Sequence, residues 1–324
     1  MGGVVSGTAI MLTKSVGHLH TITLTINNRC NLRCPHCYLK YNGTKNVIND
    51  ETVDFIFKSK SSFQHLAIVG MEPLVDKCSA SICRSIISRA ANEGITVSLI
   101  TNGINLKFLG EDILPLIAFI DISVDGGRRS YHQYRGASLE RIETNLVWLQ
   151  KNGFNRINAL DVLNNHTLYY IDDMMEFAVS SGFSGIMFSP YVPTESEGKD
   201  DVTFVTLRQS LLALKRSSLF MSTDNSFLMI DVYHCWYEGI SLKDAYAIAQ
   251  SEGMSQKVYF VPEDPTALGV MRVTYDGLVL SSFDALHTSW YSRKGRPLKE
   301  LPSLNHHYQE IIENGLVKSY IRAA

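Results

Sequence analysis

An apolar run leads directly into three cysteines in the stretch Thr25-Ile-Asn-Asn-Arg-Cys-Asn-Leu-Arg-Cys-Pro-His-Cys-Tyr38. Cys30, Cys34 and Cys37 have the spacing CxxxCxxC. Three thiolates can hold a cubane iron–sulfur cluster and leave its fourth iron open, whereas a closed electron-transfer cluster or a structural zinc site normally takes four protein ligands. The loop therefore predicts a cluster with one open iron. A zinc site completed by His36 or by a remote ligand is the less favoured alternative.

The composition predicts a globular protein with a sizeable core, because 45% of the 324 residues are hydrophobic and 19% are charged. The longest apolar stretches, residues 95–100 and 117–124, are far shorter than the ~20 residues that a membrane span needs. The first residues lack the features of a secretory signal, and three closely spaced cysteines are typical of metal binding, so we expect a cytoplasmic protein without membrane contact. A net charge of −2 argues against an extensive nucleic-acid surface.

Short β-branched runs alternate with longer amphipathic segments from about residue 20 to 190, which predicts βαβ units and a curved parallel sheet. The predicted strands are His20–Asn27, Leu66–Gly70, Thr96–Thr101, Phe119–Val124, Arg156–Val162 and Gly185–Phe188. The predicted helices are Asp50–Lys60, Lys77–Asn92, Leu106–Leu116, Leu139–Lys151 and Tyr169–Ser180. Later elements are expected as helices over Phe204–Ser217, Ser241–Ser251 and from Asn305, and as a hairpin over Met271–Val279.

Polar or glycine-rich segments follow the first four predicted strands. They are Cys30–Cys37, Gly70-Met-Glu-Pro73, Thr101-Asn-Gly103 and Ser123-Val-Asp-Gly126. Functional groups of a parallel sheet collect in the loops after the strand C-termini, because strand ends and helix N-termini converge there. We therefore expect these four segments to meet at one edge of the sheet.

These motifs, in this order, resemble those of the radical S-adenosylmethionine (SAM) superfamily over about residues 20 to 190. The resemblance implies an α/β fold, a partial (β/α)6 TIM-like barrel with a small C-terminal α+β cap. It also implies one [4Fe–4S] cluster on Cys30, Cys34 and Cys37, whose open iron chelates the amino and carboxylate groups of SAM. Reductive cleavage of SAM would release a 5′-deoxyadenosyl radical, and such an enzyme is expected to be oxygen-sensitive.

The resemblance also implies contacts between SAM and the loops after the second and third strands. Gly70 and Glu72 match the family's glycine–glycine–glutamate–proline motif, in which a sheet edge binds the ammonium group of SAM. Met71 replaces the second glycine of that motif, which leaves main-chain contacts possible. Asn102 matches the family's third segment at this edge.

Ser123, Asp125 and Arg135 resemble the fourth-strand signature of peptide-modifying and molybdopterin-type members. Ser123 and Arg135 match positions that hold SAM, and a guanidinium suits a carboxylate because it offers a planar fork of donors. Asp125 is expected to orient the ribose or to cap a turn, and the alternative for Arg135 is a surface ion pair. Ser189, after the sixth strand, is expected to flank the adenine, with core packing as the alternative.

The C-terminal part resembles a degenerate SPASM or twitch extension, a region that often carries auxiliary iron–sulfur clusters. Val273-Thr-Tyr-Asp-Gly-Leu-Val-Leu-Ser-Ser282 resembles its opening hairpin, but serines replace the expected cysteine, and no cysteine follows Cys235. We therefore expect a cap without an auxiliary cluster. The predicted units are an N-terminal extension (residues 1–19), a core barrel (20–215) and a cap (216–324).

The three remaining cysteines need separate interpretations. Cys78 and Cys83 lie five residues apart on a predicted helix and are interpreted as buried structural thiols. Cys235 stands among aromatic residues in the predicted cap, and a packed thiol is the favoured interpretation. The alternative is catalytic, a hydrogen-atom donor that quenches a substrate radical.

The resemblance implies an enzyme that abstracts hydrogen from its substrate. The favoured substrate is a small molecule of a biosynthetic pathway, such as a sugar, nucleoside or amino acid derivative, because auxiliary-cluster ligands are missing. The alternative is a peptide maturase that epimerises or crosslinks a ribosomal peptide. A non-catalytic iron–sulfur sensor is a third option, although it would not need Glu72 or Arg135. A flavodoxin- or ferredoxin-type protein is the expected electron donor.

Overall fold

The computed structural model describes residues 18–37, 46–193, 202–261, 266, 268–280, 296–297 and 300–313. Its strands are β1 (Thr21–Thr25), β2 (His65–Val69), β3 (Thr96–Thr101), β4 (Phe119–Ser123), β5 (Ile157–Leu163), β6 (Gly185–Pro190), β7 (Ser226–Ile230), β8 (Val258–Phe260), β9 (Val270–Val273), β10 (Leu278–Leu280) and β11 (Arg296–Pro297). They form one sheet in the order β11-β10-β9-β1-β2-β3-β4-β5-β6-β7-β8. All neighbours from β9 to β8 pair in parallel, and β10 and β11 add an antiparallel edge. The predicted mostly parallel α/β fold is confirmed.

Helices connect most of the parallel strands. They are α1 (Asp50–Lys58), α2 (Lys77–Asn92), α3 (Gly127–Arg135), α4 (Leu139–Lys151), α5 (Ile171–Ser180), α6 (Leu207–Arg216), α7 (Ser218–Ser222), α8 (Val232–Glu238), α9 (Leu242–Ser251) and α10 (Leu304–Glu313). The side chains of Asn49 and Asp76 cap α1 and α2 by accepting main-chain hydrogen bonds from Thr52 and Ser79. No helix in the described part of the chain is long and apolar enough to cross a membrane.

The prediction of an α-helix over Leu106–Leu116 was wrong. The segment forms two short 3₁₀ turns, Leu106–Leu109 and Glu111–Leu116. Gly110 separates them with φ of 75°, and Pro115 has no N–H to donate within the second turn. The prediction of a buried Cys78 was also wrong, because this thiol lies on the exposed side of α2, whereas Cys83 is fully buried.

The parallel sheet continues beyond the six predicted strands. β7 and β8 extend it past β6, and β9 pairs with β1 at its other side. The hairpin predicted over Met271–Val279 is present as β9 and β10, whereas Ser281 and Ser282 lie outside the described residues. The division of the chain near residue 215 stays a prediction, and most of the predicted N-terminal extension also lies outside the described residues.

One face of the sheet packs against the helices. Successive side chains of a strand point to opposite faces, and residues paired in register share a face. The helix-facing side chains form one continuous apolar core that includes Ile22, Leu24, Ile68, Leu99, Ile122, Ala159, Ile186 and Leu228. This core keeps the strand C-termini at one common edge, where the loops after the strands form the candidate site.

We call the face turned away from this helix core the inner face. On β1 to β4 its side chains are mostly polar, including Thr21, Thr23, Thr25, His65, Thr96, Ser98, Asp121 and Ser123. On β5 to β8 they are mostly apolar toward the carboxyl ends of the strands, namely Leu160, Val162, Met187, Phe227, Met229 and Tyr259. We refer to these two sets as the polar half and the apolar half.

Candidate functional site

The cysteine loop begins and ends in a short antiparallel stem. The Ile48 N–H donates to the Ile26 carbonyl (2.8 Å), and the Asn28 N–H donates to the Asn46 carbonyl (3.3 Å). The side-chain oxygen of Asn28 accepts from the Asn46 N–H in return (3.0 Å). The stem therefore fixes both ends of a loop whose middle, residues 38–45, lies outside the described residues.

The turn between β9 and β10 packs against this stem. The side-chain amide of Asn28 donates to the hydroxyl of Tyr275 (3.5 Å). Burial, with a smaller contribution from the Asp276 carboxylate, raises the pKa of Tyr275. The hairpin that resembles the start of an auxiliary-cluster domain thus braces the base of the cysteine loop in this chain.

The three cysteines lie together on the loop that follows β1. Cys34 is buried, and Cys30 and Cys37 are half-buried against Leu32 and Ile104. The Leu32 N–H donates to the Cys30 sulfur (3.3 Å). Burial and then the Glu72 carboxylate raise the pKa of Cys30 to about 12. Burial also raises the pKa of Cys34, while the nearby Arg135 guanidinium acts in the opposite direction.

The donor set fits a cubane cluster better than a single metal ion. Within the described ranges, no three His, Cys, Asp or Glu side chains converge as they would around one ion. Structural zinc normally takes four protein ligands that converge tetrahedrally on one centre, and this loop supplies three thiolates. A cubane cluster instead spreads its thiolates, with one cysteine on each iron that the protein holds. Cys30, Cys34 and Cys37 would therefore hold three irons of such a cluster.

Glu72 connects the loops after β1, β2 and β3. Its side chain is 1% exposed and accepts from the Thr101 hydroxyl (2.6 Å) and from the Asn102 N–H (2.6 Å). Its own N–H donates to the Arg29 carbonyl (2.8 Å), and the Asn27 amide donates to its carbonyl (2.8 Å). Both carboxylate oxygens of Glu72 thus accept hydrogen bonds from the end of β3 and the loop after it, and its main chain bonds to the loop after β1. Glu72 therefore positions these loops.

Gly70 and Asn102 lie beside this junction. A Cβ on Gly70 would lie 3.0 Å from the side-chain oxygen of Asn27, so glycine permits the close packing of the two loops. The Asn102 amide donates to the side-chain oxygen of Asn31 (2.8 Å) and lies 3.9 Å from the Cys30 sulfur. Both predicted residues are therefore next to the cysteine loop.

Arg135 and Asp125 form a buried ion pair. Arg135 is 8% exposed, and its Nη1 donates to Asp125 Oδ2 at 2.6 Å, so the surface ion pair considered from the sequence is wrong. Asp125 Oδ1 accepts from the Val162 N–H (2.7 Å), and Oδ2 lies 3.4 Å from His36 Nε2. The Nε of Arg135 is buried without a hydrogen-bond partner among the described residues. This N–H can therefore donate a hydrogen bond to a ligand in the site.

Helix α3, which carries Arg135, was not predicted. It begins at Gly127, the second of two left-handed glycines, and a Cβ on Gly127 would lie 2.5 Å from the main chain of Asp173 in α5. The Asp173 carboxylate accepts from the Arg129 N–H (2.6 Å) and so caps α3 from the neighbouring helix. The paired glycines at Gly126 and Gly127 were the available signal for this close helix contact.

Two further residues near Asp125 were missed. Asp161 accepts from the Gly126 N–H (2.7 Å), and burial followed by the Asp125 charge raises the pKa of Asp161 well above its ordinary value. Tyr134 stacks on His36 with ring centroids 4.9 Å apart, and its hydroxyl accepts from the Asn164 amide (2.6 Å). These contacts join the ends of β4 and β5 to the cysteine loop. No local sequence pattern predicts them.

Ser123, Ser189 and Cys235 lie at three separate positions. Ser123 ends β4 on the inner face beside the cysteine edge, and Ser189 lies near the end of β6 on the same face. Cys235 is 3% exposed on α8 and belongs to the main apolar core, and burial raises its pKa to about 12. This packing agrees with the structural-thiol interpretation, and hydrogen donation by Cys235 stays a prediction.

Comparison with known proteins agrees with this site. The sequence profile of the radical SAM superfamily matches residues 24–178, which include the cysteine loop, Glu72, Asp125 and Arg135. An uncharacterised protein of Methanocaldococcus jannaschii is 24% identical over 56% of this chain and 65% of its own length. A probable GTP 3′,8-cyclase of the same organism is 32% identical over 32% of this chain and 35% of its own length. The chain thus matches less than two thirds of either relative.

Solved structures share the fold. Streptococcus suis SuiB bound to S-adenosylmethionine superposes with a TM-score of 0.69 at 13% identity, over 92% of this chain and 68% of SuiB. A tagged anSMEcpe with bound AdoMet gives a TM-score of 0.66 at 16% identity, over 94% of this chain and 81% of the other. Members of the superfamily use a [4Fe–4S] cluster and SAM, and the cysteine loop and its order in the fold agree with that use. Residues 24–178 of the chain form a radical SAM domain.

Proposed function

We propose that this chain is a radical SAM enzyme that abstracts a hydrogen atom from a small molecule in a biosynthetic reaction. One observation carries the proposal: the three-cysteine loop, the Glu72 junction and the Arg135–Asp125 pair lie at one edge of the sheet and are bonded to one another. Asp125 pairs with Nη1 of Arg135, but the buried Nε of Arg135 has no hydrogen-bond partner among the described residues. A buried donor without a partner is costly, so a ligand that accepts from this group fits the site better than a cluster alone.

The cofactors would supply the chemistry that protein side chains lack. A [4Fe–4S] cluster on Cys30, Cys34 and Cys37 supplies an electron, and SAM supplies the hydrogen-abstracting 5′-deoxyadenosyl group. The work of the chain is then to bind, to orient and to exclude water. A flavodoxin- or ferredoxin-type donor and a cytoplasmic location are part of the proposal.

Each predicted contact has a physical role in holding SAM. The main chain at Gly70 can approach the SAM ammonium closely because no Cβ intervenes. Arg135 is oriented by Asp125, so its remaining donors can hold the SAM carboxylate. Ser123 and Ser189 are proposed to bind the nucleoside part, and Asn102 to hold the cysteine loop against it.

A small molecule is favoured as the substrate over a peptide. No cysteine follows Cys235, so the chain lacks the usual ligands for auxiliary clusters. The likeness to SuiB bound to precursor peptide SuiA concerns the fold alone, at 12% identity. Among the curated relatives, a nucleotide dehydratase of Flammeovirga pacifica also acts on a small molecule by its name, and it is 26% identical over 37% of this chain.

Anaerobic reconstitution with iron and sulfide, followed by dithionite reduction with SAM, tests the proposal. We expect 5′-deoxyadenosine from the wild type and none from Cys34→Ala, because that variant loses a cluster ligand. Cys78→Ala is the matched control, since this thiol is exposed on α2 and should leave cleavage unchanged. The proposal would be contradicted if wild type and Cys34→Ala produced equal amounts of 5′-deoxyadenosine. It would also be contradicted if the wild type produced none while it held a complete cluster, SAM and its substrate.

A further inference from the structure

The two halves of the inner face differ in polarity, and the apolar half adjoins the candidate cofactor site through Val162, whose N–H donates to Asp125. The apolar half forms two rows across neighbouring strands. Leu160, Met187 and Phe227 pair in register in the deeper row. The row nearer the strand ends contains Val162 and Met229. Met229 belongs to it because it follows Leu228, which pairs with Phe188.

The apolar half remains outside the helix core. None of its six side chains belongs to that core, and all except the buried Met187 are partly exposed. Met229 and Tyr259 pack at one end against Val261 and Leu268, in a small cluster that also contacts Val270 of β9. Phe227 contacts the ring of Tyr259 edge-on (ring centroids 6.3 Å apart), and it stays partly exposed. Leu160 and Val162 are also partly exposed and belong to no apolar cluster among the described residues. Partly exposed apolar side chains that lie side by side are typical of ligand sites.

This surface is continuous with the candidate cofactor site. The Val162 N–H donates to Asp125 (2.7 Å), which holds Arg135. Ser189, a predicted SAM contact, pairs with Val162 across β5 and β6. A molecule on the apolar half would therefore lie directly beside SAM, where hydrogen abstraction requires it.

The charges of the inner face exclude one substrate class. Among the described residues, the inner faces of β1 to β8 carry no lysine or arginine. Arg272, on the inner face of β9, already takes part in a contact within the chain. Phosphate groups are usually bound by several cationic or main-chain donors, and the apolar half offers neither. A triphosphate substrate such as that named for the cyclase relative would lack its counter-charges here.

We infer that the apolar half binds an uncharged, non-phosphorylated hydrocarbon portion of the small-molecule substrate, with Phe227 and Met229 as specificity-determining residues. The inference rests on the proposed function, since it places that portion beside the hydrogen-abstracting cofactor. Met229 adapts its shape to a ligand because its thioether side chain is unbranched and flexible, and Phe227 offers a fixed aromatic surface.

Equilibrium dialysis of the anaerobically reconstituted holoenzyme against Nile red, an uncharged apolar dye, tests the inference. We expect saturable binding that weakens about tenfold in Phe227→Asn, because an aromatic surface is lost. Met229→Gln, which nearly keeps the side-chain volume, should weaken binding about fivefold. Met221→Gln is the matched control, because this methionine is 39% exposed on α7 away from the inner face. If Phe227→Asn fails to fold, the dye affinity of Met229→Gln is compared with that of Met221→Gln instead.

Magnesium GTP is the opposing probe in the same experiment. We expect no saturable binding to the wild type up to about 1 mM, since a weaker complex has no use at cellular concentrations. Binding of GTP well below that concentration would overturn the inference, as would equal dye affinity in Met229→Gln and Met221→Gln. The dye does not depend on SAM cleavage. A preparation that maps the dye to this face but whose complete four-iron cluster does not bind SAM would therefore contradict the proposed function without contradicting the apolar ligand assignment.

Discussion

The polar and apolar halves of the inner face share one sheet and one helix core, yet they are organised differently. In the polar half, five of the eight polar side chains named above are buried (Thr21, Thr25, His65, Ser98 and Asp121), and His65 Nε2 is hydrogen-bonded to Ser98 Oγ (2.9 Å). Asp121 likewise accepts from the Asn158 amide (2.8 Å) where the halves meet. In the apolar half, Leu160, Val162 and Phe227 remain partly exposed. The difference suggests a rigid half that supports the cofactor and an adaptable half that receives the substrate.

The largest effect is expected where α3 meets α5 at the polar half's edge. Gly127→Ala would place a Cβ 2.5 Å from the α5 main chain at a φ of 67°. We expect a loss of about 4 kcal/mol in the free energy of unfolding, because strain in the left-handed region adds to overpacking. Urea unfolding measures this loss.

Gly153→Ala separates the two causes, because this glycine has a φ of 73° and nothing within 4 Å of a built Cβ. The control should lose only about 1–2 kcal/mol. Equal losses in the two variants would show that the helix contact does not position α3.

The next effect concerns Arg135, at the border between the two halves. Arg135→Lys keeps the charge opposite Asp125 but loses the planar fork, so SAM affinity should fall about tenfold. Isothermal titration of the reconstituted protein measures the affinity, and its iron content should stay unchanged. Arg128→Lys, on the exposed side of the same helix, is the control. Unchanged SAM affinity in Arg135→Lys would remove this residue from the cofactor site.

The polar half should also make stability depend on pH. Burial, and then the neighbouring His20, lower the pKa of His65 to about 4, below its ordinary value of 6.5. The folded state therefore favours neutral His65, and this stability is complete above about pH 6.5 and is lost as the pH falls toward 4. For this histidine the loss between pH 7 and 5 is about 2 kcal/mol.

Urea unfolding of wild type and His65→Gln at both pH values measures this contribution, because the variant subtracts the titration of other groups. Gln keeps a polar group near Ser98 without a titrating ring. We expect a smaller pH dependence in the variant. The same slope in both proteins would show that His65 does not remain neutral in the folded state.

The smallest effect is expected at Tyr275, which braces the stem of the cysteine loop. Tyr275→Phe removes the hydroxyl that accepts from Asn28, so stability should fall by about 1 kcal/mol. Hydrogen exchange of residues 26–28 and 46–48 in the apo protein should become faster, while β5 to β8 stay unchanged. Tyr246→Phe is the control, because Tyr246 is 51% exposed on α9. Unaltered exchange at the stem in Tyr275→Phe would rule out the brace.

The cofactor edge was largely predictable from the sequence because its signals are local. The CxxxCxxC spacing, the strand runs and the segments after the strands all lie within a few residues of each other, and the structure brings those segments to one edge. The bonds that organise the edge were not predictable. Glu72 meets Asn102, and Asp125 meets Val162, through contacts about 30 residues or more apart in the chain.

The apolar half was not predicted for a different reason. Its strands, such as Ser226–Ile230, are apolar on both faces, so they lack the alternation that would separate a helix-facing side from a ligand-facing side. Only the register with neighbouring strands shows that Leu228 packs in the core while Phe227 and Met229 face inward. The same ambiguity explains why β7 and β8 were placed in the cap instead of the sheet.

The most direct test of the account is the electron paramagnetic resonance spectrum of the reconstituted, dithionite-reduced protein with and without SAM. An open iron at the edge of the polar half predicts about four irons per chain and a reduced-cluster signal that SAM alters. Arg135→Lys should need about ten times more SAM for the same spectral change. One iron per chain, or a four-iron signal that saturating SAM leaves unaltered, would contradict the claim that this edge binds SAM at an open iron.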